Sequence, residues 1–569
     1  MYILGISAFY HDSAACLFKN NLIRGAVEEE RFTGIKGDPS FPINSINWLL
    51  KSNGISIDEI SVVCWYENPK IKNERVIETF KKYPIGNIKR IFKYIFSLDN
   101  KKSFKKILIN KIGFRGEIRL IDHHLSHASL SFFTSDFKEC NILTVDGVGE
   151  KETLTISSAY GNKIKKIHSV EYPNSIGLFY SAFTSFLGFK PNEGEYKLMG
   201  LSAYGNPDVF YEKLKSIIHF NQGDLKIDME LFSWHTSDKI MFNEKLCYHL
   251  NLDPRIPDTP INQLHKDLAA GVQKIYEEIF LYYVNLSLSL NKSENLCLGG
   301  GCAYNGLANG KIKSNSNYKN VWIPFSPSDG GSAIGACLYF INSVRGIKRK
   351  GPISPYQGPE FNERSIVKTI VGFGLDIHHE RLETPDLINR TASLLSEGNV
   401  IGWFNGKMEF GSRALGNRSI LASPLFPDMQ DRINTVIKKR EKFRPFAPSV
   451  ISEDANKFFH INESVPYMNM IFKVDEKWDL PAITHVDGTA RVQTVSIYEN
   501  PRYYHLIKKF GEITGIPVLL NTSFNFKDQT ITLNPKDAII RFLDSEMNYL
   551  VLGNFLISKN DQTANTTQI

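Results

Sequence analysis

Short apolar runs that end in glycine or aspartate alternate along this chain with longer amphipathic stretches. This alternation is typical of α/β architecture, in which strands feed into helices that cover the sheet. A chain of 569 residues is also too long for one hydrophobic core, so we expect at least two domains. Strands are predicted at residues 2–6, 14–18, 141–146 and 295–299, and helices at 264–290 and 332–343.

The best candidate for a linker is a basic segment rich in proline and glycine, RGIKRKGPISPYQGPE, which begins at Arg345. A second pattern of strands and helices begins after it. We therefore predict a first domain over residues 1–345, a linker at 346–360, a second domain over 361–560 and a polar tail at 561–569.

Composition limits the classes of function. The formal net charge of +7 permits an anionic ligand but does not argue for a nucleic-acid partner. The seven cysteines form no CxxC motif, which indicates buried thiols in a reducing compartment rather than a disulfide framework. The N-terminus begins directly with a strand-like run, and no apolar run is long enough to span a bilayer. We predict a cytoplasmic protein with no membrane partner.

A histidine pair lies in the run IDHHLSHASL. His123 and His127 are four residues apart, so in a helix both imidazoles project from one face, an arrangement that can hold a transition metal. The alternative is a pair of packing or surface histidines. Two acid–glycine turns favour the metal site: Asp146 ends a strand-like run, and Asp329 lies in the turn SDGGS. Carboxylates on such loops would complete a His/Asp site.

Tight glycine turns are candidates for phosphate contacts, because glycine lets backbone N–H groups approach a phosphate closely. Actin-like ATPases have two such turns after strands, and residues 5–7 and 146–149 match them in position. The first turn lacks the acid that kinases have there, which argues against ordinary kinase chemistry. The segment LGGGCAYN would suit a nucleotide-holding turn, although a plain tight turn fits as well. Its candidate residues are Gly299, Gly300, Gly301 and Asn305.

Two further polar residues of the first half are candidates with open alternatives. His11 follows the first strand and has Asp12 beside it, so it could act as a general base toward a hydroxyl or serve as a capping or core histidine. Lys197 lies in a predicted loop with several glycines and could reach an anion. The simpler interpretation of that loop is a solvated segment.

The second half concentrates cations in the run KKREKFRPFAP, which begins at Lys438. Prolines and phenylalanines are interleaved with the charges, which indicates a fixed, partly buried segment whose cations need anionic partners. Phosphate is the natural candidate, and arginine offers it a bidentate fork. The predicted polyanion pocket consists of Arg413, Arg418, Lys438, Arg440, Arg491, Ser523 and Asn525.

These motifs, taken in order, resemble one family: the O-carbamoyltransferases that include nebramycin synthetase, cephalosporin carbamoyltransferase and nodulation protein U. The resemblance covers nearly the whole chain. It rests on HDSAA (11–15), EEERF (28–32), DHHLSHA (122–128), VDGVGE (145–150), KLMGLSAYG (197–205), GGGCAYNG (299–306), SPSDGGSAIGA (326–336), MEFGSRALGNRS (408–419), REKFRPFAPSV (440–450) and LNTSFN (520–525).

The resemblance implies an α/β fold with an N-terminal actin-like (ASKHA) duplicated domain and a C-terminal domain similar to threonylcarbamoyl-adenylate synthase. It also implies two half-reactions. The C-terminal domain would convert carbamoyl phosphate and ATP, with Mg²⁺ accompanying the ATP, into carbamoyl adenylate. The N-terminal domain would transfer the carbamoyl group to a hydroxyl of a small metabolite, as in antibiotic and other natural-product biosynthesis. A homodimer is plausible by the same resemblance.

By motif, the family's site residues carry over to this chain. His123, His127, Asp329 and Asp146 would hold iron, Fe(2+), or another divalent metal, and His11 would act on the acceptor hydroxyl. Lys438, Arg440, Ser523 and Asn525 would form the adenylate. Arg413, Arg418 and Arg491 would hold carbamoyl phosphate or the triphosphate, and Lys36 would contact an anion near the N-terminal site.

Three other functions are alternatives to this one. A threonylcarbamoyl-type tRNA-modifying enzyme should carry a strong basic stripe, and the modest net charge speaks against it. A hydrogenase-maturation carbamoyltransferase needs paired CxxC zinc motifs, which this sequence lacks. A non-catalytic actin-like ATP-binding protein would not need His11, the histidine pair and the Lys438 motif together.

Overall fold

A computed structural model describes residues 1–87, 90–91, 104–374 and 377–559. The chain forms two compact units. The N-terminal unit contains Met1–Glu29 and Gly37–Ile353, and the C-terminal unit contains Glu30–Lys36 and the chain from Ser354 onward. The main division therefore falls inside the segment 346–360, but residues 30–36 belong to the C-terminal unit, so the predicted first domain of 1–345 is wrong for this segment. The predicted tail at 561–569 lies outside the described residues.

Two five-stranded sheets form the frame of the N-terminal unit. The first has the order β3-β2-β1-β4-β5, and the second has the order β12-β11-β6-β7-β8. The strands, with the separate hairpin β9–β10, are β1 Tyr2–Ser7, β2 Ala14–Lys19, β3 Leu22–Glu28, β4 Ile60–Trp65, β5 Glu117–Leu120, β6 Glu139–Val145, β7 Glu152–Tyr160, β8 Lys163–Glu171, β9 Ile218–Asn221, β10 Asp224–Ile227, β11 Asn295–Gly299 and β12 Asn320–Trp322.

The two sheets repeat one topology. In the first, β1, β2 and β3 are antiparallel neighbours, while β4 and β5 run parallel to β1. In the second, β6, β7 and β8 are antiparallel, while β11 and β12 run parallel to β6. This duplication confirms the predicted actin-like α/β fold. The four strands predicted from sequence all form, as β1, β2, β6 and β11.

The N-terminal unit's helices connect and cover these sheets. The predicted helix at 264–290 spans Gln263–Leu290, and the one predicted at 332–343 begins earlier, at Asp329. The α-helices are Ile43–Asn53, Pro69–Lys82, Phe104–Ile112, His123–Thr134, Ile176–Phe186, Glu195–Ser202, Tyr211–Lys215, Glu244–Leu250, Gln263–Leu290, Gly306–Gly310, Ile312–Asn315 and Asp329–Leu338. Short 3-10 or π-helical segments are Ile57–Glu59, Ile85–Asn87, Pro207–Val209, Gly301–Tyr304 and Tyr339–Val344.

A close helix crossing joins the two halves of this duplicated unit. The Asp329–Leu338 helix presents Gly335 to the His123–Thr134 helix, and a Cβ on Gly335 would lie only 1.9 Å from the carbonyl oxygen of Ser126. Any larger residue at this position would force the backbones apart. The crossing brings the first residue of one helix, Asp329, beside the histidines of the other.

An eight-stranded mixed sheet forms the centre of the C-terminal unit. Its order is β13-β22-β21-β14-β15-β20-β16-β19, and β17 and β18 form a separate antiparallel hairpin. The strands are β13 Ile377–Arg381, β14 Ile401–Phe404, β15 Arg418–Ala422, β16 Ala447–Ile451, β17 Ile471–Lys473, β18 Thr489–Arg491, β19 Gln493–Val495, β20 Val518–Ser523, β21 Tyr549–Leu552 and β22 Phe555–Lys559.

The helices Thr384–Ser396 and Pro501–Thr514 share a hydrophobic core with this sheet, in which Leu395, Trp403 and Phe510 are fully buried. Each such side chain contributes roughly 1.5–3 kcal/mol by its removal from water. The unit's other helical segments are Glu30–Thr33, Glu363–Phe373, Met429–Arg432, Ile433–Ile437, Ser452–Asp454, Ala455–Phe458 and Pro535–Leu543. Across the described parts of both units, no helix combines the length and apolar character that crossing a membrane requires.

Candidate metal centre and cation cluster

Four potential metal ligands converge in the N-terminal unit. His123 and His127 lie one turn apart on the His123–Thr134 helix, Asp146 directly follows β6, and Asp329 begins its helix. One ligand atom from each side chain lies within 4.8 Å of the others, and all four side chains are buried. The four residues predicted from the sequence as metal ligands therefore lie together in the structure.

The distances leave room for an ion among these atoms. Nε2 of His123 lies 2.9 Å from Oδ2 of Asp146 and 3.0 Å from Nε2 of His127. Both Nε2 atoms lie 3.5 Å from Oδ1 of Asp329. Both oxygens of Asp329 are buried without a hydrogen-bond partner among the described residues, a costly state for a carboxylate unless a cation compensates it. Two imidazoles and two carboxylates fit iron or another divalent ion.

Neighbouring groups fix the orientation of the histidine pair. Oγ of Ser332 lies 3.1 Å from Nδ1 of His127, which leaves Nε2 to face the centre. The carboxylate of Glu150 accepts the backbone N–H of His123 at 2.9 Å and that of Asn68 at 2.6 Å. Glu150 thus caps the N-terminus of the His123–Thr134 helix. Glu150 is not among the site residues predicted from the sequence, although it lies in the motif VDGVGE.

Electrostatics of the centre favour bound positive charge. Burial disfavours the charged form of His123, but Asp329 and Asp146 outweigh it and raise the pKa of His123 to about 9. Burial likewise opposes ionisation of Asp146, yet hydrogen bonds from His123 and His127 hold its pKa well below the usual range. In the metal-free protein, a proton on His123 therefore balances part of the carboxylate charge.

His11 lies at the edge of this centre. Its Nε2 is 4.0 Å from Oδ2 of Asp329, and its Nδ1 is 3.0 Å from Oδ2 of Asp12. Burial would lower the pKa of His11, but Asp329 and Asp12 raise it to about 10. The side chain of His11 is 19% exposed and its ring packs against that of Tyr10, so the imidazole is open to solvent at the edge of the centre.

The predicted glycine turn packs directly against the metal centre. Gly300 has a φ of +85°, and a Cβ there would lie 2.1 Å from the carbonyl oxygen of Val145. The N–H of Gly301 points to Oδ1 of Asp146 at 3.4 Å. Asn305 is used within the protein, because its side chain caps the next helix and exchanges two hydrogen bonds with Gln273. A nucleotide contact by Gly299–Gly301 stays a prediction, whereas the amide of Asn305 is already engaged.

Lys197 occupies a helix, Glu195–Ser202, and not the predicted loop. Its ammonium group lies 5.5 Å from the centre of the Phe189 ring, a cation–π distance. The predicted anion contact of Lys197 is therefore untested.

In the C-terminal unit, Lys438, Ser523 and Asn525 form one hydrogen-bonded group. Nζ of Lys438 donates to the carbonyl oxygen of Ser523 at 2.8 Å and to Oδ1 of Asn525 at 3.0 Å. Oγ of Ser523 donates to the same Oδ1 at 2.7 Å. Lys438 is only 2% exposed although it lies just after a helical segment. The three residues predicted to share a site do so.

Cations surround this group. Burial lowers the pKa of Lys438 well below its usual value, and four neighbouring cations lower it further: Arg440, Arg444, Lys36 and Arg541. Burial also lowers the pKa of Arg491, as do Arg413, Arg440 and Arg444. Such repulsion is tolerated when a polyanion occupies the site. We call this group the cation cluster: Lys36, Arg413, Lys438, Arg440, Arg444, Arg491 and Arg541.

One prediction about cations needs correction, and a second gains a new neighbour. Lys36 belongs to the C-terminal unit and helps to lower the pKa of Lys438, while its anion contact near the N-terminal site stays a prediction. Arg418 is fully buried, and its guanidinium donates to the carbonyl oxygens of Asn405, Asn417, Pro359 and Gly406 while it stacks on Phe404. Because backbone carbonyls occupy both terminal nitrogens, Arg418 has a structural role and does not hold phosphate.

The N-terminal unit thus carries a His/Asp centre on a duplicated α/β fold, and the C-terminal α/β unit carries the cation cluster. In the family comparison, residues 2–338 match the carbamoyltransferase N-terminus and residues 392–559 match the carbamoyltransferase C-terminus. The chain belongs to the carbamoyltransferase family, and it is a carbamoyltransferase enzyme.

Similar proteins match this chain over different shares of their length. An uncharacterized protein of Synechocystis sp. is 38% identical over 99% of this chain and 97% of its own length. Nodulation protein NolNO of Sinorhizobium fredii is 34% identical over 97% of this chain and 80% of its own length. Nodulation protein U of Rhizobium fredii is 34% identical over 41% of this chain and 38% of its own length.

Proposed function

We propose that this protein is an ATP-dependent O-carbamoyltransferase with two half-reactions. The C-terminal unit makes carbamoyl adenylate from carbamoyl phosphate and ATP, and the N-terminal unit transfers the carbamoyl group to a hydroxyl of a small metabolite. The observation that carries the proposal is the buried Lys438, which is hydrogen-bonded to Ser523 and Asn525 and surrounded by the cation cluster. Cations buried at this cost are explained by substrates with several phosphates.

The first half-reaction has a defined balance. Carbamoyl phosphate, ATP and one water give carbamoyl adenylate, pyrophosphate and phosphate. The water cleaves the P–O bond of carbamoyl phosphate to release phosphate and carbamate, and a carbamate oxygen then attacks the α-phosphorus of ATP and displaces pyrophosphate. Arg413, Arg440 and Arg491 supply fixed positive charge for these steps, and electrostatic stabilisation of this kind is usually the largest catalytic contribution. We propose that Mg²⁺ accompanies ATP.

The second half-reaction uses His11. Its Nε2 removes the proton of the acceptor hydroxyl, the hydroxyl oxygen attacks the carbamoyl carbon, and AMP leaves. Asp329 is the carboxylate that most favours the protonated form of His11, so neutralisation of Asp329 frees the imidazole to accept a proton. General-base catalysis contributes about 10²–10⁴-fold. A divalent cation, which we propose to be iron, would be held by His123, His127, Asp146 and Asp329 and would supply Lewis-acid chemistry there.

A direct assay tests the proposal. The protein is mixed with ATP and carbamoyl phosphate without an acceptor, and pyrophosphate, phosphate and ADP are measured. Formation of carbamoyl adenylate requires pyrophosphate release. Release of ADP alone would contradict the adenylate route. Labelled carbamoyl phosphate, offered with a panel of hydroxylated metabolites, then identifies the acceptor.

A further inference from the structure

A turn before β18 holds a histidine beside the cation cluster. The N–H of His485 donates to the carbonyl oxygen of Thr489 at 2.7 Å, and the N–H of Gly488 donates to the carbonyl oxygen of His485 at 2.9 Å. Arg491, a member of the cation cluster, follows Thr489 by two residues, and its positive charge helps to lower the pKa of the His485 imidazole. The turn therefore fixes His485 at a site that is otherwise rich in hydrogen-bond donors.

The hydrogen bonds of the turn determine which ring nitrogen carries the proton. Oγ1 of Thr489 lies 2.6 Å from Oδ1 of Asp487, and a carboxylate can only accept, so the threonine hydroxyl donates to it. The oxygen of Thr489 is then an acceptor for Nδ1 of His485, at 3.1 Å. The proton of the neutral imidazole consequently lies on Nδ1, and Nε2 carries a lone pair.

Nε2 of His485 is buried and has no hydrogen-bond partner among the described residues. Burial and, to a smaller extent, Arg491 lower the pKa of His485 to about 4, against the opposing effects of Asp487 and the backbone carbonyl of Phe446. The imidazole is therefore neutral at physiological pH. The Phe446 ring lies 4.8 Å from the guanidinium of Arg440, which places this acceptor next to a second member of the cluster.

A lone acceptor among cations discriminates between ligands. Phosphate oxygens accept hydrogen bonds and match arginine and lysine, but they have no proton for Nε2 of His485. The carbamoyl group has an NH₂, whose two hydrogens suit two acceptors such as Nε2 and the carbonyl of Phe446. An acetyl group has similar size and a methyl group in place of the NH₂. We propose that His485 binds the amino group of the carbamoyl donor and selects it over acyl phosphates.

This inference rests on the proposed function and is tested by donor selectivity. Pyrophosphate release from ATP is measured with carbamoyl phosphate and with acetyl phosphate. His485→Leu should lower kcat/KM for carbamoyl phosphate about 10- to 100-fold, as expected when a buried group loses its hydrogen-bond partner, and leave the value for acetyl phosphate unchanged. His485→Gln, which retains an acceptor, should keep most of the selectivity. The exposed His505 gives the matched control His505→Leu, with no change.

Thr489→Val provides a second, milder variant. It removes the hydroxyl that holds the proton on Nδ1, so it should reduce the preference for carbamoyl phosphate in the same direction and less than His485→Leu. If the leucine variant does not fold, as judged by circular dichroism, the selectivity of Thr489→Val decides the question.

The outcomes separate the inference from the proposed function. An equal loss with both donors, or an unchanged preference, would show that His485 only supports the turn and would overturn the inference. If the wild-type protein releases no pyrophosphate from carbamoyl phosphate, the proposed function fails. The inference about His485 is then tested by binding, measured as the thermal stabilisation of wild type and His485→Leu by each donor. The inference requires that carbamoyl phosphate stabilise the wild type more than acetyl phosphate does, and that His485→Leu lose this difference.

Discussion

Nε2 of His123 lies 2.9 Å from Oδ2 of Asp146, although the first residue begins a helix and the second follows a strand 23 residues later. The contact joins the helix to the C-terminal end of β6, the central strand of the second sheet. With His127 and Asp329 it forms a centre of two imidazoles and two buried carboxylates. This state explains why the centre should take up a divalent cation.

Loss of one imidazole should lower metal content. We expect His127→Ala to reduce bound divalent metal from about one equivalent to a small fraction, because loss of one ligand removes a large part of the affinity. The measurement is elemental analysis by mass spectrometry after purification with iron. His219 is exposed, so His219→Ala is the control and should bind metal as the wild type does. Unchanged metal content in His127→Ala would remove the site assignment.

Metal binding should depend on pH. The pKa of His123 is about 9 in the metal-free protein, so at pH 7 this imidazole is protonated and must lose its proton to bind a metal. Apparent affinity should therefore rise about tenfold per pH unit for each proton displaced, and level off above pH 9. Calorimetry in buffers of different ionisation enthalpy counts the released protons. Affinity that is constant between pH 7 and pH 9 would contradict this electrostatic description.

Substitution of Lys438 should abolish activity and change stability little. Burial and four cations disfavour the ammonium form, so at neutral pH the charge does not stabilise the fold. We expect Lys438→Met to abolish pyrophosphate release while the free energy of unfolding falls by no more than about 1 kcal/mol. Lys442 is exposed and pairs with Asp431, so Lys442→Met should retain activity. Full activity of Lys438→Met would exclude Lys438 from the adenylate site.

Two arginines should respond in opposite ways to the same substitution. Arg418→Met leaves several buried carbonyl groups without a donor and should lower the free energy of unfolding by about 2–4 kcal/mol. Arg491→Met relieves repulsion within the cation cluster, so it should leave stability intact and weaken pyrophosphate release. Denaturant titration and the pyrophosphate assay distinguish the two cases. Similar stability losses in both variants would contradict the structural role assigned to Arg418.

The parts of the site that the sequence predicts are those with local signals. The spacing of His123 and His127 places both on one helix face, and the strand before Asp146 ends in a recognisable acid–glycine turn. Lys438 and Ser523 were placed in one polyanion pocket by residue type, but their shared role in adenylate formation came from the family resemblance, because no local spacing connects two segments that are 85 residues apart. The duplicated sheets were also predicted from the family resemblance and not from any internal repeat of sequence.

Other features depend on tertiary contacts that the sequence does not display. Lys36 follows β3 of the N-terminal unit, yet its segment packs as part of the C-terminal unit. Arg418 and Arg413 occur in one motif with similar neighbours, and only burial against four carbonyl groups reveals the structural role of Arg418. Arg541 lies outside all of the sequence motifs named above. It belongs to the cation cluster because the fold brings it close enough to Lys438 to lower the pKa of that lysine.

The most direct test of the two-site mechanism is a paired measurement on His11→Asn, with pyrophosphate release and carbamoylated product followed in one reaction. Because His11 lies beside Asp329 and outside the cation cluster, pyrophosphate release without acceptor should match the wild type. Product formation with acceptor should fall about 10²–10⁴-fold, which is the loss expected for a general base. Ser523→Ala should instead lose pyrophosphate release. If His11→Asn abolished pyrophosphate release as well, the separation of the two half-reactions would be wrong.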